Sequence, residues 1–211
     1  MSEKTSHRHF VPCMGGSALT PFYDLIHRFS GGAGLHAEMI RLAELRPGQS
    51  VLDIGCGTGN LLLALGRDHP EVALMGLDPD HRALGRAARK ANRARVAVSW
   101  RQGYAEELPY PDDSIDRVFS SLMLHHLHDK AALLAEVRRV LRPDGLFVLA
   151  DIDGHGALDG HGFFRRRMAH NPLIQDNAGM VERITAAGFV VGPPVEHRLR
   201  MGRITIVLAR P

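Results

Sequence analysis

A chain of 211 residues is long enough for one well-filled core and short for two. With 45% hydrophobic residues, 23% charged residues and a net charge of +3, its composition excludes wholesale disorder. No apolar run, ITIVLA at 204–209 included, approaches the ~20 residues of a membrane-spanning helix. The opening MSEKTSHRHFVPC has no apolar stretch of the kind a secretory leader needs. Cys13 and Cys56 are too few for a disulfide framework, so a cytoplasmic location is expected. All but three of the 26 basic residues are arginines. They are scattered among acids except at Arg165-Arg166-Arg167, which reads as solvated helix faces and gives no nucleic-acid partner.

In chain order, helices are expected over 21–29 and 35–45, forming an N-terminal lid (1–45) ahead of the main domain (46–211). Apolar strand-like runs follow at 51–54, 72–77, 96–100, 115–121, 145–152, 188–192 and 203–209. Helical periodicity fills the gaps. Ala83, Leu84, Ala87, Ala88 and Ala91 share one face of 80–92. In 129–141, Asp129 is placed to cap and Leu133, Leu134, Val137, Val140 and Leu141 form the stripe. In 177–187, Met180, Val181, Ile184 and Ala187 align, and Gly188 suits the position just past the helix. Near-continuously apolar strands separated by helices predict a single doubly wound α/β domain. Its sheet has about seven strands, mostly parallel, the last too close behind its predecessor for anything except an antiparallel pairing.

The strongest chemical signal is VLDIGCGTGN at 51–60. A buried strand ends in Asp53, and Gly55, Gly57 and Gly59 turn the chain into a helix whose first N–H groups lack partners. Asp78, ending the second strand in GLDPD, is spaced to accept the hydroxyls of a ribose. A dinucleotide fingerprint would need glycine at position 60, where Asn60 stands. Asp53 would repel a pyrophosphate and attract an ammonium group. A nicotinamide-dependent oxidoreductase and a non-catalytic cofactor-binding module remain the alternatives to the reading that follows.

VLDIGCGTG, GLDPD, LPYPDDSIDRVFSSLMLHHLHD and LRPDGLFVLADI together resemble the successive motifs of class I S-adenosylmethionine-dependent methyltransferases, closest to the small-molecule branch with the quinone-biosynthesis C-methyltransferases. The resemblance implies a Rossmann-like methyltransferase fold and S-adenosylmethionine as cofactor. It implies that Asp53, Gly55 and Gly57 hold the methionyl end and Asp78 the ribose, with Pro79 beside it. Ala105 and Glu106 lie along the adenine, and Ser121 and Leu122 under the sulfonium. Where the family commonly carries an acid for the adenine amino group, this chain has Tyr104, able to stack or to offer its hydroxyl.

His125, His126, His128, Asp151, Asp153, His155 and His161 match no established zinc spacing, so no metal is expected. Their plain reading is loop polarity. The sharper one makes His126, at the mouth of the cleft, a general base. The acceptor, a small molecule, would sit among Phe22, Tyr23, Ile26, His27 and the loop 153–176.

Overall fold

The computed structural model describes residues 31–153, 179–200 and 202–211. The expected helix 21–29 and most of the loop 153–176 lie outside them. Among the described residues, eight strands form one sheet: β1 (Ser50–Ile54), β2 (Ala73–Asp78), β3 (Ser99–Gln102), β4 (Ile115–Ser121), β5 (Leu141–Asp151), β6 (Val190–Val191), β7 (Val195–Leu199) and β8 (Gly202–Arg210). Their order is β3-β2-β1-β4-β5-β8-β6, with β7 also on β8. Pairings among β1 to β5 are parallel, and β8 is antiparallel to β5, β6 and β7.

The chain steps outward from β1 to β2 and β3, then returns to lay β4 on the other flank of β1. Strand order therefore reverses between β1 and β4, which opens a crevice beyond their carboxyl ends. Among the described residues, five helices cover the faces: α1 (Gly32–Leu42), α2 (Asn60–Asp68), α3 (His81–Ala94), α4 (Lys130–Val140) and α5 (Met180–Ala186). Successive strand residues feed opposite cores. Val51, Phe119, Val148 and Ile206 pack with Leu35, Met39, Leu61, Leu65 and Leu84. Leu52, Val118, Phe147 and Val207 pack with Leu133, Val137, Met180 and Ile184. Burial on both sides explains why these strands read as continuous apolar runs.

Asp129 caps α4 by accepting from the Ala132 amide, and Gly188 follows α5 at φ +89°. Several expectations shift. The helix expected at 35–45 runs over Gly32–Leu42, because Glu44 takes φ +47° just before Pro47. That helix packs on the sheet: Leu35, Met39, Ile40 and Ala43 belong to the first core, and buried Arg117 of β4 donates to the Ala43 carbonyl at 2.9 Å. Helix α3 continues to Ala94 and ends at left-handed Arg95, which delays β3 from 96–100 to Ser99–Gln102. The eighth strand arises because Pro193-Pro194 removes two consecutive N–H donors, splitting one edge of β8 into β6 and β7.

Candidate functional site

The site is built from the loops at the carboxyl ends of β1, β2, β3, β4 and β5. After β1, the Gly55 and Cys56 amides both donate to the Leu77 carbonyl, stitching the turn to β2. Gly55, Gly57 and Gly59 all have positive φ (72°, 52° and 76°), and they serve different ends. A Cβ on Gly55 would run into Met123 Cγ, and one on Gly59 would lie 2.7 Å from the Trp100 ring. Those two glycines make room for the protein's own side chains. A Cβ on Gly57 would meet nothing within 4 Å. Here the backbone faces open space.

Asp78 organises this turn. One carboxylate oxygen accepts from the Gly57 amide and the other from the Asp80 amide, each at 2.8 Å. A carboxylate has about four lone-pair sites, so two remain for a ligand. Asp53 and Asp78 are both buried, 3% and 8% exposed. Burial and the charge of Asp78 push the Asp53 carboxyl well above the ordinary carboxylate range. Burial also raises Asp78, against the lowering effect of its two amide bonds. Two buried acids beside an open backbone form a site that is relieved by a cation and by hydroxyl donors. Cys56 is packed, and burial with the two acids pushes its thiol up, away from nucleophilic use.

Beyond β2, Gln102 Nε2 donates to the Pro79 carbonyl at 3.0 Å and the Gly103 amide to the Asp78 carbonyl at 3.3 Å. These bonds bring Pro79 against the start of the 103–107 turn. In that turn Tyr104 is 37% exposed, Ala105 is buried and Glu106 is half-buried. On the far side of the crevice, Ser121 Oγ lies 3.4 Å from His36 Nε2 of α1. Leu122 sits at φ +55°, a backbone costing ~1–3 kcal/mol for such a side chain, and its amide donates to the Ala150 carbonyl at 2.8 Å.

The histidines that follow do not alternate sides as residues leaving a strand would. Leu124–His126 form a turn of 3-10 helix, and the His125 and His126 rings lie 4.1 Å apart, tilted by 41°. His125 Nδ1 is 2.6 Å from Asp151 Oδ1, whereas His126 Nδ1 is buried and lacks a partner among the described residues. Burial, then the neighbouring His125, lowers the His126 pKa to about 4. Its imidazole is therefore neutral at physiological pH. Phe22, Tyr23, Ile26, His27, His155, His161 and Arg165-Arg166-Arg167 lie outside the described residues. Sequence reasoning missed His36, Gln102 and Met123. Only His36 left a signal, as a polar residue on the stripe Leu35, His36, Met39, Ile40 that α1 buries.

Residues 52–149 match the family described as a methyltransferase domain. An uncharacterized methyltransferase of Bacillus subtilis, YcgJ, is 40% identical over 114 residues, which covers 54% of this chain and 44% of that protein. The chain thus spans less than half the length of this relative. The demethylmenaquinone methyltransferase of Deinococcus radiodurans is 30% identical over 171 residues, covering 77% of this chain and 71% of that protein. The chain belongs to the S-adenosylmethionine-dependent methyltransferases. In fold, this methyltransferase resembles phosphoethanolamine N-methyltransferase 2 of Haemonchus contortus, solved with S-adenosylmethionine. The TM-score is 0.71 at 21% identity, over 86% of this chain and 44% of that one. The methyltransferase's own residues suit the family's donor. Gly57 leaves space at the backbone, and Asp53 and Asp78 set two buried acids beside it. Among the described residues, no helix is long and apolar enough to cross a membrane and no cluster could hold a metal ion.

Proposed function

We propose that this methyltransferase transfers a methyl group from S-adenosylmethionine to a small, apolar or aromatic acceptor in the cytoplasm. The observation that carries the reading is the open backbone at Gly57 beside the Asp53–Asp78 pair, at the point where strand order reverses. The name of the Deinococcus radiodurans relative, a demethylmenaquinone methyltransferase, supports a small-molecule acceptor. When bound, S-adenosylmethionine supplies a methyl group on a cationic sulfur, already activated for displacement.

The protein's part is then alignment and exclusion of water, worth up to ~7–11 kcal/mol in favourable intramolecular cases. Asp53 with Gly55 and Gly57 holds the methionyl end. Asp78 takes the ribose hydroxyls on the lone pairs its amide bonds leave, with Pro79 beside the sugar. Tyr104, Ala105 and Glu106 line the adenine, and Ser121 and Leu122 lie under the sulfonium. Phe22, Tyr23 and His27, with the loop 153–176, form the acceptor pocket. His126, neutral at physiological pH, acts there as an uncharged polar wall.

Calorimetric titration with S-adenosylmethionine and, separately, NADPH tests the cofactor. Release of S-adenosylhomocysteine across an acceptor library tests the reaction. Binding of NADPH in place of S-adenosylmethionine would overturn the reading, and so would donor binding with no product from any acceptor, the behaviour of a non-catalytic module.

A further inference from the structure

We propose that the arginine face of α3 docks this methyltransferase on an anionic phospholipid surface, where an apolar acceptor dissolved in the bilayer reaches the crevice. The choice of lipid rests on the small, apolar acceptor proposed above.

The stretch 81–105 departs from the mixing of arginines with acids expected along the chain. It holds seven arginines and lysines and no acidic residue, although the whole chain carries only +3. The remainder of the chain is therefore net negative. With ~3.6 residues per turn, Arg82, Arg86, Arg89 and Arg93 fall within about 60° of one another around α3. They form a row roughly 16 Å long, turned away from the face that buries Ala83, Leu84, Ala87 and Ala91. Arg82, Arg89 and Arg93 are exposed and Arg86 is half-buried, and exposed Arg95 follows at the helix end.

Other helices balance such charges. Glu38 pairs with Arg41 on α1, and Glu136 with Arg139 on α4. On α3, no carboxylate among the described residues pairs with Arg86, Arg89, Arg93 or Arg95. Asp80, just ahead of the helix, caps it by accepting from the Arg82 amide. Arg82 and Arg86, Arg86 and Lys90, and Arg89 and Arg93 set like charges four residues apart, which weakens a helix. Arg82 also stands in the first turn, against the helix dipole. An external anionic surface relieves that repulsion.

The row begins just past Asp78, at the crevice rim, and descends the flank of the sheet beside the edge strand β3. Two features favour lipid over nucleic acid. Nucleic-acid strands are gripped by aromatic rings stacked on bases beside basic groups. Helix α3 has no Phe, Tyr or Trp, and Trp100 of β3 fills the space beside Gly59 and Gly76 instead. The apolar face of α3 is already committed to the core, so the helix meets a plane of headgroups by charge, without insertion.

Co-sedimentation of the full chain with vesicles tests the docking. The wild type should bind vesicles of phosphatidylglycerol in phosphatidylcholine, come off them as salt rises, and leave pure phosphatidylcholine unbound. Arg89→Glu combined with Arg93→Glu should lower affinity for the anionic vesicles by at least about tenfold. That variant should melt no earlier than the wild type and leave S-adenosylmethionine affinity unchanged. Arg89→Lys combined with Arg93→Lys should keep the binding, since a headgroup plane reads charge. With an apolar acceptor carried in the vesicles, S-adenosylhomocysteine release by the wild type should be faster on anionic than on neutral ones. Equal binding to both kinds of vesicle, binding to neither, or unchanged binding by the glutamate variant would overturn the inference. So would tighter binding to polyuridylic acid than to anionic vesicles, or equal product release on both kinds of vesicle. Donor binding with no product from any acceptor would overturn the methyltransferase reading, whereas co-sedimentation is read without turnover.

Discussion

His126 offers a quantitative test of the electrostatics at the end of β4. Its ordinary pKa of 6.5 falls to about 4 in the folded protein. Acidification from pH 7 therefore protonates the unfolded chain first. The folded state binds fewer protons in this window, so stability falls as pH drops below 6.5 and levels off near pH 4. Each unit is worth about 1.4 kcal/mol, giving about 2 kcal/mol by pH 5 and roughly 3 kcal/mol at the plateau. Half-burial makes these upper figures. His125 works in the opposite sense. Its pKa is raised, so its contribution is present below 6.5 and is lost as pH rises through the folded value. The raised carboxyls of Asp53 and Asp78 likewise favour the folded state as they take up protons. The wild-type curve sums these effects, and His126→Gln subtracts one of them. Urea unfolding at pH 7 and pH 5 should show the wild type losing about 2 kcal/mol more than the variant. Parallel losses would refute the assignment of a neutral, desolvated ring to His126.

Asp78→Ala should weaken S-adenosylmethionine binding a hundredfold or more, because two charge-assisted hydrogen bonds at ~1.5–3 kcal/mol each are removed; calorimetry showing unchanged affinity would displace the ribose from this carboxylate. Gly57→Ala should cost only the ~1–2 kcal/mol of a left-handed alanine and lose donor affinity, whereas Gly59→Ala, strained alike, should lower the melting temperature further through its clash with Trp100. Equal melting-point losses would remove the distinction drawn between the glycines. Asp53→Asn should raise the melting temperature of the ligand-free protein and weaken donor binding, since a buried like charge beside Asp78 is removed. A lower melting temperature would count against the charge repulsion argued here.

Much of the fold was legible in residues 51–152, where strands buried on both faces and amphipathic helices repeat a simple pattern. The Asp129 cap and Gly188 were readable because each sits where only a few residue types satisfy the backbone. The split of β6 from β7 was not anticipated, although Pro193-Pro194 announces it, since two prolines in a row remove the donors a ladder requires. At the site, Asp53, Asp78 and the glycines carry their signal locally. The His125–Asp151 pair does not: it joins residues 26 apart through sheet register. Which of two adjacent histidines meets the carboxylate depends on a 3-10 turn that alternation along a strand does not predict.

The divided edge beside β8 also bears on how copies of this protein meet. A sheet edge with an unbroken row of N–H and C=O groups is a template for another chain to add to. Here the outer row offers two residues of β6, then Gly192-Pro193-Pro194, then β7, and the opposite edge, β3, is only four residues long. An incoming strand would find too few donors in register on either side to zip up. The proline pair thus acts as a guard against edge-to-edge aggregation. It leaves exposed Val190 at 72% accessibility without making it the start of a fibre.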